Sequence, residues 1–253
     1  LALPDGARYR LTTVGMIHYP MMPQPTGFAR EEFIAVQECR GDGLGRACAL
    51  EHRITNFEAE PPYGKFIEND EAPVRGLVSR QRMTALGAPE GPAEIEGEGA
   101  ATDPGRALAS VHRFACIRFP SEPVAVGATW TVTCDSRVDG RVAHRTTTWE
   151  LIAIDDDPEG AGKRAELRET GSFTFDSTVG ARGGEFAGIL YFWVDLGEPH
   201  ILRETLVTEI VADQGSTKAS LNYQFAKVDP NDPTKVTRTD GKPFEGPAAP
   251  AAP

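Results

Sequence analysis

The stretch ATWTVTCDSRVDGRVAHRTTTWELIAI, residues 128–154, decides the fold class. Asp139-Gly140 lies near its centre, and this dipeptide suits a two-residue type I′ turn. On both sides of the turn, apolar and polar residues alternate as they do in half-buried strands. The stretch therefore predicts a long antiparallel hairpin formed by residues 128–138 and 141–154.

The turn also predicts the register of this hairpin. It places Trp130 opposite Trp149, Cys134 opposite Arg145 and Asp135 opposite His144. Two tryptophans that pair across a hairpin mark its buried face, because their large apolar rings gain most from burial.

Further strands are predicted along the whole chain. Alternation is clear in residues 164–175 and 217–225, and residues 188–196 are apolar on both faces. Strands are also expected at residues 8–17, 32–39, 48–57, 76–86 and 200–212. A short helix is expected near residues 103–115, where Asp103 can cap it and Pro104 suits its first turn. Residues 87–101, rich in Gly, Pro and Glu, predict a long solvated loop.

These elements predict an all-β fold with one short helix. We expect an antiparallel meander curled into a barrel or half-barrel, because closure removes exposed sheet edges. A two-sheet β-sandwich is the alternative. The chain has 253 residues, and we expect residues 1–228 to form a single domain. Residues 229–253, rich in Pro and Ala, predict an extended tail or linker.

The cysteines indicate the compartment of the protein. There are four, Cys39, Cys48, Cys116 and Cys134, and an even number permits three pairings. Cys39 and Cys48 flank a turn-rich segment and could face each other on paired strands, so we expect disulfides Cys39–Cys48 and Cys116–Cys134. Four buried thiols are the alternative, and the lack of a C-x-x-C pair disfavours zinc. Disulfides indicate export to the periplasm, the cell surface or the extracellular space.

Residues 123–130, PVAVGATW, carry a resemblance to a known family. With the residues before them, 119–122, they resemble the P-V-x-V-G-x-x-W segment of an uncharacterised family of exported bacterial proteins and lipoproteins. The resemblance implies an envelope location and a β-rich fold, and it implies no catalytic residues. We expect Gly127 to let the chain turn into the strand while Val124, Val126 and Trp130 pack beneath it. The sequence begins at Leu1, and we expect any signal peptide or lipid-bearing cysteine to lie outside it.

Charge and hydropathy disfavour two classes of function. A net charge of −11 repels phosphate backbones, and the chain has no run of Lys or Arg, so no nucleic-acid partner is expected. The longest apolar run, residues 189–194, is too short to cross a bilayer. We therefore expect no transmembrane span.

The sequence carries no catalytic signature. It contains no G-x-S-x-G, and its five histidines form neither H-x-H nor H-E-x-x-H. The expected pair of Asp135 and His144 could raise the histidine pKa and supply a general base. Its face is rich in threonine, however, which favours an ordinary surface ion pair. We expect no cofactor.

Two sets of residues are candidate binding groups. Asp155, Asp157, Glu159 and Glu166 nearly match the spacing of a calcium loop. Their flanks are predicted strands and Glu159 replaces a shorter residue, so we interpret the segment as an acidic hairpin turn that binds no calcium tightly. Tyr191, Trp193, Tyr223 and Phe225 could line a ligand cavity, although aromatic residues in strands are usually core.

These features predict a non-catalytic protein of the bacterial envelope that binds an apolar ligand or lipid within the curled sheet. The alternative is a structural or accessory subunit of a larger assembly, which would dock through its surface and its C-terminal tail. An enzyme is the third hypothesis. A continuous apolar cavity would favour the carrier, and a filled core with flat apolar patches would favour the subunit.

Overall fold

The computed structural model describes residues 5–20, 22–61, 64–65, 76–97, 116–138, 141–156, 162–176, 181–193, 201–212, 215–229 and 232–236. Within these ranges the chain forms β1 (Arg8–His18), β2 (Thr26–Arg40), β3 (Ala47–Ala59), β4 (Val78–Thr84), β5 (Pro89–Glu96), β6 (Thr129–Val138), β7 (Arg141–Asp156), β8 (Lys163–Phe175), β9 (Ala181–Trp193), β10 (Ile201–Ala212), β11 (Gly215–Asp229) and β12 (Asp232–Val236). A single 3-10 turn, Gly43–Gly45, is found between β2 and β3.

All these strands belong to one sheet, in the order β5-β4-β3-β2-β1-β11-β10-β9-β8-β7-β6, with β12 added beside β11. Every neighbouring pair is antiparallel. One pairing joins strands that are far apart in sequence, and among the described strands one successive pair is not hydrogen-bonded. β1 pairs with β11, and in the described part of the chain β5 does not pair with β6. We call the opening between β5 and β6 the seam.

The seam is open because the number of strands between its two edges is odd. The path from β5 to β6 contains eleven strands joined by antiparallel pairings, so its two outermost strands run in the same direction. A purely antiparallel sheet can close only with an even number of strands. The predicted all-β antiparallel meander is therefore confirmed, whereas the closed barrel is not formed by the described strands. The two-sheet sandwich is not observed either, because one hydrogen-bonded sheet contains all of them.

We call β1 to β5 and β6 to β11 the two arms of the sheet. The two arms share one core. Tyr9, Leu11 and Val36 from one arm belong to the same buried cluster as Trp149 and Leu190 from the other. Since one buried side chain of this kind contributes about 1.5–3 kcal/mol to folding, packing between the arms holds the sheet in a curled shape around a filled interior.

The central hairpin has the predicted register. Trp130 lies opposite Trp149, Cys134 opposite Arg145 and Asp135 opposite His144. Trp149 is fully buried, at 1% exposure, while Trp130 is only half-buried. The expectation that the two tryptophans are buried neighbours thus holds fully for Trp149, whereas Trp130 is partly buried against the same core and directs its indole N–H at the Arg118 carbonyl, 2.8 Å away.

Both expected disulfides are present, Cys39–Cys48 and Cys116–Cys134. The second one attaches residues 116–119, which we call the seam segment, to β6. The Phe119 amide donates to the carbonyl of Leu86, two residues after the end of β4, at 2.9 Å. The seam segment is therefore fastened to both arms of the sheet and bridges the seam.

Three expectations need correction. Residues 87–101 were expected to form a loop, but β5 lies there, because an edge strand tolerates Pro89 and Pro92 without losing ladder hydrogen bonds. Val124 and Val126 do not pack beneath the following strand, since they are 39% and 58% exposed. Gly127 does take the expected turn conformation, with φ +88°, which a residue with a side chain rarely adopts.

The third correction concerns the C-terminal segment. Five residues of the expected tail form β12 and pair with the end of β11. Residues 237–253 and the expected helix at 103–115 lie outside the described residues. No helix in the described ranges has the length and apolar character needed to cross a membrane.

Candidate functional site

The register of the sheet does not place the four aromatic positions expected to line one cavity on a single face. Tyr191 lies opposite Glu166 and Arg203, and the Arg164 guanidinium stacks on its ring at 4.5 Å from the centroid. Positions 223 and 225 lie opposite Thr13 and Leu11, which belong to the buried face of β1. The side chains of Trp193, Tyr223 and Phe225 lie outside the described part of the structure. A ligand cavity built from all four is therefore not supported by the register.

The structure instead has a groove at the seam, with a volume of about 680 Å³. One wall is formed by β4 and β5 and includes Gln81 and Pro92. Arg118 of the seam segment lines it as well, and the floor is the outer side of β6, β7 and β8. The groove exists because the sheet is open here, so that the edge of one arm lies beside the outer face of the other.

The floor of the groove carries a row of hydroxyl groups. Thr133, Thr146 and Ser172 lie directly opposite one another on three adjacent strands, and all three are exposed. Neighbouring strands are about 4.8 Å apart, which sets the spacing of the row. Since each hydroxyl can both donate and accept a hydrogen bond, the row can bind a ligand with several polar groups.

An ionic group lies beside this row, two residues further along the same strands. His144 Nδ1 is 2.7 Å from Asp135 Oδ1, and its Nε2 is 2.9 Å from Asp176 Oδ1. The hydrogen bond with Asp135, followed by that with Asp176, raises the pKa of His144 above its usual value. With a carboxylate at each ring nitrogen, the imidazolium form donates from both, and no ring lone pair is left to accept a proton from a substrate. The arrangement corresponds to the expected surface ion pair and does not favour a general base.

A buried ion pair supports the floor from below. The Arg145 guanidinium is 2.7 Å from Glu169 Oε1, and their side chains are 4% and 0% exposed. The guanidinium also lies 3.9 Å from the ring centroid of Phe186. Because a buried charge is costly unless it is paired, this cross-strand contact fixes β7 against β8 beneath the hydroxyl row.

Sequence reasoning missed this pair, although the sequence contained a signal for it. The predicted register had already placed Arg145 opposite Cys134, on the side of the two tryptophans. Glu169 lies on the same side of β8 as Leu167 and Phe173, and the alternation in residues 164–175 predicts that this apolar side points inward. Two charged residues at inward positions of adjacent strands indicate a buried pair.

The wall of the groove contains an acceptor without a partner. The Gln81 Nε2 group donates to the Gly91 carbonyl at 3.1 Å. Its Oε1 atom is buried and has no hydrogen-bond donor among the described residues. A buried acceptor without a donor costs about 1–3 kcal/mol, and a ligand could recover part of this cost only if the Gln81 side chain turned its oxygen into the groove.

A second buried polar cluster lies in the other arm, away from the groove. Arg30 Nε is 2.5 Å from Glu32 Oε1, and His52 Nε2 pairs with Glu32 Oε2. These side chains lie on the inner face of β2 and β3, and none of them lines the groove. We assign this cluster a role in packing the arm.

The acidic hairpin between β7 and β8 has the predicted strands on both sides. Asp155 lies opposite Arg164, and Asp156 forms an ion pair with Lys163 at 2.5 Å. Asp157 and Glu159 lie outside the described residues. Among the residues that the structure describes, no three His, Cys, Asp or Glu side chains converge as a metal site would require.

Comparison with known proteins adds little. No family model and no curated protein matches this chain. Among solved structures, the chain is similar to a Bacteroides fragilis NCTC 9343 protein described as a "putative exported protein with YmcC-like fold". The identity is 10% and the TM-score 0.33, over 86% of this chain and 94% of that chain. A likeness at this level carries no argument about function.

Proposed function

We propose that the protein is a non-catalytic exported protein that binds a polar ligand in the groove at the seam. The observation that carries the proposal is the hydroxyl row of Thr133, Thr146 and Ser172 on the groove floor, close to the unpartnered Gln81 oxygen in the wall. The volume of about 680 Å³ is within the usual range for small-molecule sites, roughly 300–1,000 Å³.

The exported location is supported by the disulfides. Cys39–Cys48 and Cys116–Cys134 together use every cysteine in the chain. Disulfides of this kind form and persist in the periplasm, at the cell surface and outside the cell, whereas the cytosol keeps thiols reduced.

The composition of the groove favours a polar ligand over the apolar ligand expected from the sequence. Tyr9, Val36, Trp149 and Leu190 fill the interior of the curled sheet and are at most 1% exposed. The described interior therefore offers no support for a lipid within the curl. The groove outside it presents hydroxyl, amide and ionic groups.

The geometry also favours binding over catalysis. His144 contacts a carboxylate at each ring nitrogen, so it is not placed to activate a hydroxyl nucleophile such as Ser172. The accessory-subunit hypothesis has less support, because large exposed apolar residues such as Val14 and Met16 are few in the described part of the chain and such residues are common on monomeric proteins.

The proposal is tested by thermal shift with a panel of disaccharides, polyols and amino acids. Three proteins are compared: the native chain, a floor variant with Thr133→Val, Thr146→Val and Ser172→Ala, and a matched control with Thr131→Val, Thr148→Val and Thr170→Val. The control changes the adjacent row on the same strands, outside the groove.

We expect at least one probe to raise the melting temperature of the native and control proteins, since a ligand that binds only the folded state stabilises it. The floor variant should bind that probe about tenfold more weakly or worse, because two or three hydrogen bonds of about 0.5–1.5 kcal/mol each are lost. An equal shift in all three proteins, or no shift in the native protein, would refute the proposal.

A further inference from the structure

The hydroxyl row of the groove continues into a second row outside it. Thr131, Thr148 and Thr170 lie opposite one another across the same three strands, directly next to Thr133, Thr146 and Ser172. All six residues are exposed, and Thr131 Oγ1 lies 3.5 Å from Thr148 Oγ1. We call the two rows together the hydroxyl face.

We infer that the ligand of the groove is a neutral glycan chain, one end of which occupies the groove while the rest lies along the hydroxyl face. This inference rests on the proposed function and narrows it to a class of ligand. The hydroxyl face alone would not define a site. It adjoins a cavity of about 680 Å³ that also contains Asp135, His144 and the seam-segment residue Arg118, and this cavity is an observation independent of the threonines.

The boundaries of the face set the length of the bound segment. At the groove end lies the Asp135–His144–Asp176 group. At the far end, Arg168 Nη1 donates to Glu150 Oε2 at 3.1 Å, and this pair lies opposite Thr129. From position 135 to position 129 of β6 the distance is about 20 Å at roughly 3.3 Å per residue. A chain of several sugar units fits this distance, whereas a disaccharide would remain within the groove.

The charges favour an uncharged polymer. Between the two ionic groups, neither row of the face contains a charged side chain. The whole chain carries a net charge of −11, which repels polyanions such as nucleic acids and phosphate-bearing polymers. The ionic groups at both ends are paired internally, so neither is available to recruit a strongly charged ligand.

The hydrogen-bonding chemistry favours a glycan over a peptide. Peptides commonly add to a sheet through the free backbone groups of an edge strand, whereas the groups that the hydroxyl face offers are side-chain hydroxyls that stand out from the face of the sheet. Sugar hydroxyls both donate and accept, as threonine and serine hydroxyls do. The threonine methyl groups can also pack against the apolar faces of sugar rings.

The test uses oligosaccharides of two and of six units from three neutral series: maltose and maltohexaose, cellobiose and cellohexaose, chitobiose and chitohexaose. Dissociation constants are measured by calorimetry for the native chain, the floor variant and the variant of the outer row, Thr131→Val with Thr148→Val and Thr170→Val. Valine keeps the shape and strand preference of threonine, so both variants should fold, and unfolding in urea checks that they do.

In at least one series, the hexamer should bind the native protein about tenfold more tightly than the dimer, a difference of roughly 1.4 kcal/mol. The outer-row variant should lose this advantage but bind the dimer as the native protein does. Equal affinities for dimer and hexamer, or an outer-row variant that keeps the full advantage, would overturn the glycan-chain inference. Binding of amino acids or polyols without binding of any hexamer would overturn it too, but would leave the proposed groove function standing.

Discussion

At the scale of single residues, the buried pair of Arg145 and Glu169 is the contact on which the groove floor depends most. Glu169→Gln removes the carboxylate that neutralises the buried Arg145 guanidinium, so it should lower the free energy of unfolding by about 3–5 kcal/mol. The matched control is Glu150→Gln, because Glu150 pairs with Arg168 across the same two strands but at the surface. It should cost at most about 1 kcal/mol.

Urea unfolding of both variants measures this difference. If the two substitutions had equal effects, the Arg145–Glu169 pair would not be buried as the structure has it. The aromatic contact of Arg145 with Phe186 should persist in Glu169→Gln, so the variant is expected to fold and to remain measurable.

His144 makes a second prediction at this scale, about pH. Its pKa is raised in the folded protein by Asp135 and Asp176, so the imidazolium form stabilises the fold. This contribution is fully present below the pKa of the unfolded chain, and it is lost as the pH rises through the higher folded value. NMR titration should find the His144 midpoint above that of an unfolded reference peptide.

The variant Asp135→Asn removes the largest cause of the shift and should bring the midpoint down toward the reference. A midpoint that did not move would show that the cross-strand contact between β6 and β7 is not made in solution. Because the pair is exposed, we expect its effect on overall stability to be small.

Part of the candidate site could be predicted from the sequence. The contact of Asp135 with His144 was predictable, because the dipeptide Asp139-Gly140 predicts a two-residue turn, and that turn predicts the register between the two strands of the hairpin. The second carboxylate was not, since Asp176 follows the end of β8 and no local pattern relates it to His144. Gln81 was also unpredictable, because it faces the groove only through the meeting of two distant arms.

At the scale of elements, the strands with regular alternation and a clear turn signal were those that could be predicted from the sequence. β6 and β7 have strict alternation and a type I′ turn signal, and both were predicted to within a few residues. β5 has Pro89, Gly91 and Pro92 within eight residues, a composition typical of loops. It forms a strand because it lies at an edge of the described sheet, where a missing backbone donor costs little.

The seam segment makes a prediction at this scale. The double variant Cys116→Ser with Cys134→Ser should release the segment from β6, and the hydrogen bond from Trp130 to the Arg118 carbonyl should weaken with it. Loss of the disulfide should lower the free energy of unfolding by about 2–5 kcal/mol. The indole N–H resonance of Trp130 should shift as well, because its acceptor is no longer held in place.

The double variant Cys39→Ser with Cys48→Ser is the control. It removes a disulfide of the same kind from β2 and β3, away from the seam, and should lower stability without moving the Trp130 indole resonance. A shift of that resonance in both variants, or in neither, would mean that the disulfide between Cys116 and Cys134 does not position the seam segment.

At the scale of the whole molecule, the opening of the sheet is the feature that creates the site. Eleven antiparallel strands cannot close on themselves without a parallel pair. The meander was predictable from hairpin spacing, but the pairing of β1 with β11 was not, because it joins opposite ends of the domain. Since the groove depends on that pairing and on the position of β5, its location could not be derived from sequence motifs.

The central claim is that the groove at the seam is the binding site, and NMR titration of isotope-labelled protein with maltohexaose, cellohexaose and chitohexaose tests it most directly. For the hexamer that binds, we predict that amide shifts are largest at Thr133, Thr146 and Ser172, with a shift of the Gln81 side-chain amide and none in the buried cluster of Glu32 and His52. Shifts confined to other faces of the sheet would contradict the claim that the groove is the site, and the absence of shifts with all three hexamers would overturn the glycan-chain inference.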